Sequence, residues 1–156
     1  AKAHPGLPIV LCGASFGCRV LAEVLRTSRE RLPPSVRSAL ICCGYPLNPK
    51  GKAEGADPKR ARHLLELPAA VDVLLMQGTH DEFNGPRGLE AVRELAKSMA
   101  ASTEVFEIPG GEHTVPGAKG LRELELSKEQ VASIVREKMA TFMHHVTRSC
   151  DADVDA

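Results

Sequence analysis

Short apolar runs alternate with amphipathic segments along this chain. The apolar runs are Pro8–Gly13 (PIVLCG), Val36–Cys43 (VRSALICC), Val71–Met76 (VDVLLM) and Thr103–Ile108 (TEVFEI). Gly and Pro punctuate them. The first three are almost continuously apolar, the pattern of strands covered on both faces. Amphipathic segments follow. Cys18–Arg26 carries Val20, Leu21, Val24 and Leu25, and Gly88–Ala100 carries Leu89, Val92, Leu95, Ala96 and Met99. Ser127–Val146 is the clearest, with Val131, Ile134, Val135, Met139, Phe142, Met143 and Val146 at three- and four-residue steps. Ser127 and Gln130 form a capping-box pair at its start. A weaker helical turn covers Lys59–Leu67.

Strand and helix in alternation predict an α/β domain with a parallel sheet flanked by helices. It spans residues 1–146, and residues 147–156 read as a disordered acidic tail. The polar stretch Pro46–Arg62 is long for a plain connection and predicts a lid or substrate-facing loop.

Composition narrows the function. The 156 residues carry 20 basic and 20 acidic side chains, so the formal net charge is zero. That balance argues against nucleic-acid binding and against a polybasic membrane anchor. No apolar run approaches the roughly 20 residues that span a bilayer. Aromatic residues are 3% with no Trp, which disfavours a stacking platform for single strands. The five cysteines form no C-x-x-C pair, so a zinc site is not expected. Cys12, Cys42 and Cys43 lie in strand-like runs and read as buried, reduced thiols of a cytoplasmic protein.

The chemistry lies in the loops. Gly13-Ala14-Ser15-Phe16-Gly17 fits G-x-S-x-G between an apolar strand and a helix, as a nucleophile elbow requires. The bland alternative is a glycine-rich turn with Ser15 as a helix cap. A serine nucleophile needs a base and an orienting acid, the acid first in chain order, each after a strand. Asp81 follows the third strand in Gly78-Thr79-His80-Asp81-Glu82, and His113 follows the fourth in Gly110-Gly111-Glu112-His113. A turn cap is the alternative for Asp81 and an exposed loop histidine for His113. His80 reads as a loop residue, and His63 as solvated in the insertion. His144 and His145 read as favourable cations near a helix C-terminus, and Glu82 as a fallback acid. Asp72 is at the wrong end of its strand.

These segments together resemble the C-terminal half of an α/β-hydrolase of the dienelactone-hydrolase-like group. Ile41-Cys42-Cys43-Gly44-Tyr45-Pro46-Leu47 and Gly78–Glu82 are most similar to the testis-expressed and NSL-complex-subunit-3-like branch. The resemblance implies the last four strands of that fold. The others would precede Ala1, with the loop that gives the second oxyanion-hole N–H, while the Phe16 N–H gives the first. With the loop residues, the expected function is serine hydrolysis of an ester or thioester of a small acyl compound, by Ser15, His113 and Asp81, without metal or organic cofactor. The alternative is a non-catalytic scaffold that binds a protein partner, as one branch implies.

Overall fold

The computed structural model describes residues 7–33, 36–50, 56–113, 121–122 and 124–152. Four strands, β1 (Ile9–Ala14), β2 (Ser38–Cys43), β3 (Val71–Gly78) and β4 (Ser102–Ile108), form one sheet in the order β1-β2-β3-β4. Every neighbouring pair is parallel. The helices are α1 (Phe16–Ser28), α2 (Pro58–Leu65), α3 (Leu89–Ser98) and α4 (Lys128–Ala152), with 3₁₀ turns at Arg29–Arg31 and Glu82–Asn84. Because the strands follow one another in chain order, crossovers of one hand place their helices on the same face. Cys18, Ala22 and Leu25 of α1, Ala61 and Leu64 of α2, and Ala91, Val92 and Leu95 of α3 pack there with Leu40, Cys42, Val73 and Leu75. On the opposite face α4 lays Phe142 and Val146 over Ala39, Ile41, Leu74 and Met76. This is the expected α/β architecture. β2 and β3, covered on both sides, are the continuous apolar runs.

Several details differ from the sequence reading. β1 is an edge of the described sheet, and Cys12 is exposed on it. The core under α4 is centred on β2 and β3, so Cys12 lies at its margin. The buried stripe of α1 is Cys18, Ala22 and Leu25, while Val20 and Val24 are exposed. Small side chains at Cys18 and Ala22 let the helix sit close to the sheet. On α4, Ile134 and Met143 are exposed, off the stripe that Val131, Phe142 and Val146 bury.

The Ser127–Gln130 box forms, each backbone N–H bonding the other's side chain at 2.7 and 3.1 Å. α4 then runs to Ala152, through six residues expected as tail. The stretch from Thr147 to Ala152 contains neither Gly nor Pro, and a nucleated helix extends residue by residue without such a breaker. Residues 153–156 lie outside the described ones. His144 and His145 are therefore exposed side chains well before the helix end, and the dipole reading of them falls.

The insertion is not a lid in its described parts. Pro46, Leu47 and Asn48 are buried, and α2 starts at Pro58, capped by Asp57, which accepts from the Lys59 N–H at 2.9 Å. Residues 51–55 are not described. His63 is not solvated either. Its Nδ1 lies 3.2 Å from Glu23 and its Nε2 3.3 Å from the Arg19 guanidinium, so it ties α2 to α1.

Thiol reactivity follows from these positions. Burial, then the neighbouring Cys12 and Cys18 thiols, push Cys43 up to about 11. Desolvation and then Cys18 raise Cys12 as well. The fully buried Cys42 is raised well above the ordinary thiol value, chiefly by burial. Cys18 is lowered by its bond with Cys42 but is also fully buried. The reactive species is the thiolate. Among Cys12, Cys18, Cys42 and Cys43, native alkylation with iodoacetamide is therefore expected at Cys12 first, slow at pH 8 and faster as pH rises above 9. Cys18 and Cys42 should react only after denaturation, as peptide mass spectrometry would report. Fast native labelling of Cys42 would contradict this packing.

Candidate active site

In a parallel sheet with sequential strands, all carboxyl ends meet at one edge, and the loops leaving β1, β3 and β4 meet there too. The first is the sharp turn from β1 into α1. Ser15 adopts φ 49° and ψ −124°, a conformation that L side chains avoid and that costs roughly 1–3 kcal/mol. Its N–H bonds Cys43 O and its carbonyl accepts from Cys18 N–H, both at 3.0 Å. Gly13 is required for this turn, since a Cβ there would meet Leu21 Cδ1 at 2.9 Å and the Cys18 nitrogen at 3.0 Å. Gly17 has open space around it and is not needed for clearance. The Ser15 side chain makes no capping bond to α1, which removes the cap reading.

The hydroxyl is instead engaged by His113, whose Nε2 lies 2.6 Å from Ser15 Oγ. His113 Nδ1 lies 3.0 Å from Asp81 Oδ2 and 3.2 Å from Oδ1. The residues predicted from strand ends are thus brought into one line. Asp81 also caps the 3₁₀ turn, its Oδ1 accepting from Phe83 N–H at 2.9 Å, so the turn-cap reading holds alongside this one. The Asp81 side chain is completely buried, and His113 is mostly covered. The Phe83 ring packs on the imidazole at 4.2 Å between centroids. Phe16, whose N–H is the predicted oxyanion donor, begins α1, and its side chain is 64% exposed.

The two loops carrying Asp81 and His113 are joined by their backbones. Thr79 N–H bonds Ile108 O at 3.1 Å, and His80 N–H bonds Gly111 O at 2.8 Å. Gly110 N–H bonds Thr79 Oγ1 at 2.9 Å. A Cβ on Gly78 would collide with the carbonyl oxygens of Gly111 and Glu112.

The rivals lie elsewhere. His80 is exposed, and Glu82 pairs with Lys50 at 2.9 Å. Asp72 pairs with Arg37 at 2.6 Å at the far end of the sheet. No cluster of three or more metal-ligating side chains occurs among the described residues. No described helix is long and apolar enough to cross a membrane.

The sequence family described as an alpha/beta hydrolase domain matches residues 1–144. The chain belongs to this family. No curated protein and no solved structure matches it. Family membership accords with the sheet and supports a hydrolase scaffold.

Sequence reasoning missed the polar cluster beneath this hydrolase-family site. Gln77, Asn84 and Asn48 are all buried, at 0%, 1% and 0% exposure. The available signal was one amide, Gln77, closing an apolar strand run. A buried amide must find partners.

The contrast between the glycines is testable. Gly78→Ala is expected to destabilise the fold by about 1–3 kcal/mol, as forced overpacking does. It should also pull His113 away from Ser15. Gly17→Ala is expected to be neutral or to stabilise by up to about 1 kcal/mol through helix propensity. Thermal melts of both variants check this. An unperturbed Gly78→Ala would contradict the close approach.

Proposed function

We propose that the protein is a serine hydrolase acting on an ester or thioester of a small acyl compound. The observation that carries this reading is the 2.6 Å approach of His113 Nε2 to a Ser15 hydroxyl that caps no helix. Ser15 Oγ attacks the acyl carbon while His113 Nε2 takes its proton. His113 Nδ1–H donates to Asp81, which fixes the tautomer and stabilises the imidazolium as it forms. The negative charge that develops on the acyl oxygen is met by the Phe16 N–H at the start of α1. His113 then returns the proton to the leaving alcohol or thiol. Water, deprotonated by the same imidazole, releases the acid and restores Ser15. No step requires a metal or organic cofactor.

The Ile41–Leu47 and Gly78–Glu82 segments support placement with the dienelactone-hydrolase-like group and its testis-expressed and NSL-complex-subunit-3-like branch. Free Cys12, Cys18, Cys42 and Cys43 support a reducing, cytoplasmic setting.

Hydrolysis of p-nitrophenyl acetate tests the roles. Ser15→Ala is expected to abolish turnover. Asp81→Asn should lower it by about 10²–10⁴-fold in a folded protein, because the imidazole is then held in the wrong tautomer. On the acid side the rate should fall with a slope of one proton, since a protonated imidazole cannot accept from Ser15. Full activity in Ser15→Ala would identify the protein as a scaffold with adventitious hydrolysis.

A further inference from the structure

We propose that Gln77 is a positioning residue for this reaction, holding the Asp81 carboxylate in the line that reaches Ser15; the proposal rests on the hydrolase reading above. Gln77 is the penultimate residue of β3 and is fully buried. Its Nε2 donates to Asp81 Oδ2 and to Asn84 Oδ1, both at 2.7 Å, and reaches Tyr45 O at 3.1 Å. Its Oε1 accepts from Tyr45 N–H at 2.9 Å. That last bond settles the amide's orientation, because a backbone N–H can only donate. The NH₂ group must therefore face Asp81. Asn84 is fixed in turn, its Nδ2 donating to Gly78 O at 3.2 Å.

Two acceptor oxygens are thus shared among three donors. Asp81 Oδ1 takes the Phe83 N–H, Oδ2 takes the Gln77 amide, and His113 Nδ1 approaches both. The carboxylate cannot rotate without breaking one of the first two bonds. Gln77 also grips Tyr45, two residues beyond Cys43, whose carbonyl receives the Ser15 N–H. One amide therefore ties the acid to the strand end that supports the nucleophile. Among the described residues, the groups in contact with His113 are the Asp81 carboxylate, the Ser15 hydroxyl and the Phe83 ring. Gln77 hydrogen-bonds the titratable residues Asp81 and Tyr45, the latter through its backbone, and pairs in strand register with Glu107, which is bonded to Arg93.

A purely structural role and a positioning role differ in what they do to His113. Removing the Gln77 donor leaves more negative charge on Asp81 Oδ2. The imidazolium is then held more strongly, and His113 gives up its proton at higher pH. The test is an NMR titration of the His113 ring, which needs no substrate, beside the pH profile of ester hydrolysis. In Gln77→Met both should move upward together by about one pH unit, with about a fivefold loss in kcat/KM at the old midpoint. Gln77→Leu likewise removes the donor and adds no charge, so it should move His113 the same way if Gln77→Met does not fold. Asn84→Ala cuts a Gln77 contact without touching Asp81. It should lower Tm and leave the titration in place. An unmoved titration in a folded Gln77 variant overturns the proposal, as does an equal shift in Asn84→Ala. A shifted titration in a protein that hydrolyses nothing would uphold the positioning role and remove the hydrolase reading.

Discussion

The site depends on the close approach of two strand ends. β3 finishes at Gly78 and β4 turns at Gly110 and Gly111, with glycine facing glycine where a single methyl group would not fit. Three hydrogen bonds, from Thr79, His80 and Gly110, close the gap. Asp81 and His113 hang from these joined loops, so their mutual position is set by backbone. Backbone fixes the separation of these two polar side chains more closely than side-chain contacts alone would. Ser15 comes from a third strand end, held by the bond from its N–H to Cys43 O. The parallel register carries all three ends to one edge.

Burial sets the second constraint. Asp81 is a completely covered carboxylate, and such a group is stable as an anion only when its oxygens are engaged. Phe83 N–H and the Gln77 amide meet that need before His113 is counted. The same donors that make a buried anion tolerable also fix its direction. The strained Ser15 backbone is the complementary cost, absorbed by the hydrogen bonds around the elbow and by Gly13, which admits Leu21 and the Cys18 backbone.

The four strands and the three polar positions were legible because they follow from local rules. Continuous apolar runs such as β2 and β3 mark doubly covered strands, and loops after them carry function. The packing of α1 was less legible. Hydrophobicity points to Val20 and Val24, yet the face against the sheet uses Cys18 and Ala22 because close approach rewards small side chains over apolar ones. Cys12 is exposed on β1, an edge of the described sheet, and the length of α4 goes with the absence of Gly or Pro from Thr147 to Ala152. Gln77 was hidden for another reason. An amide is neither apolar nor charged, and its meaning lies in Tyr45, a partner from the preceding strand's loop.

The central claim is that Ser15 is an activated nucleophile. The most direct measurement is covalent labelling with a fluorophosphonate, located by peptide mass spectrometry, in the protein and in His113→Gln. The account predicts an adduct on the peptide containing Ser15 that disappears in the folded His113→Gln variant. A folded protein that takes up no label at Ser15, or takes it up equally without the imidazole, would contradict it.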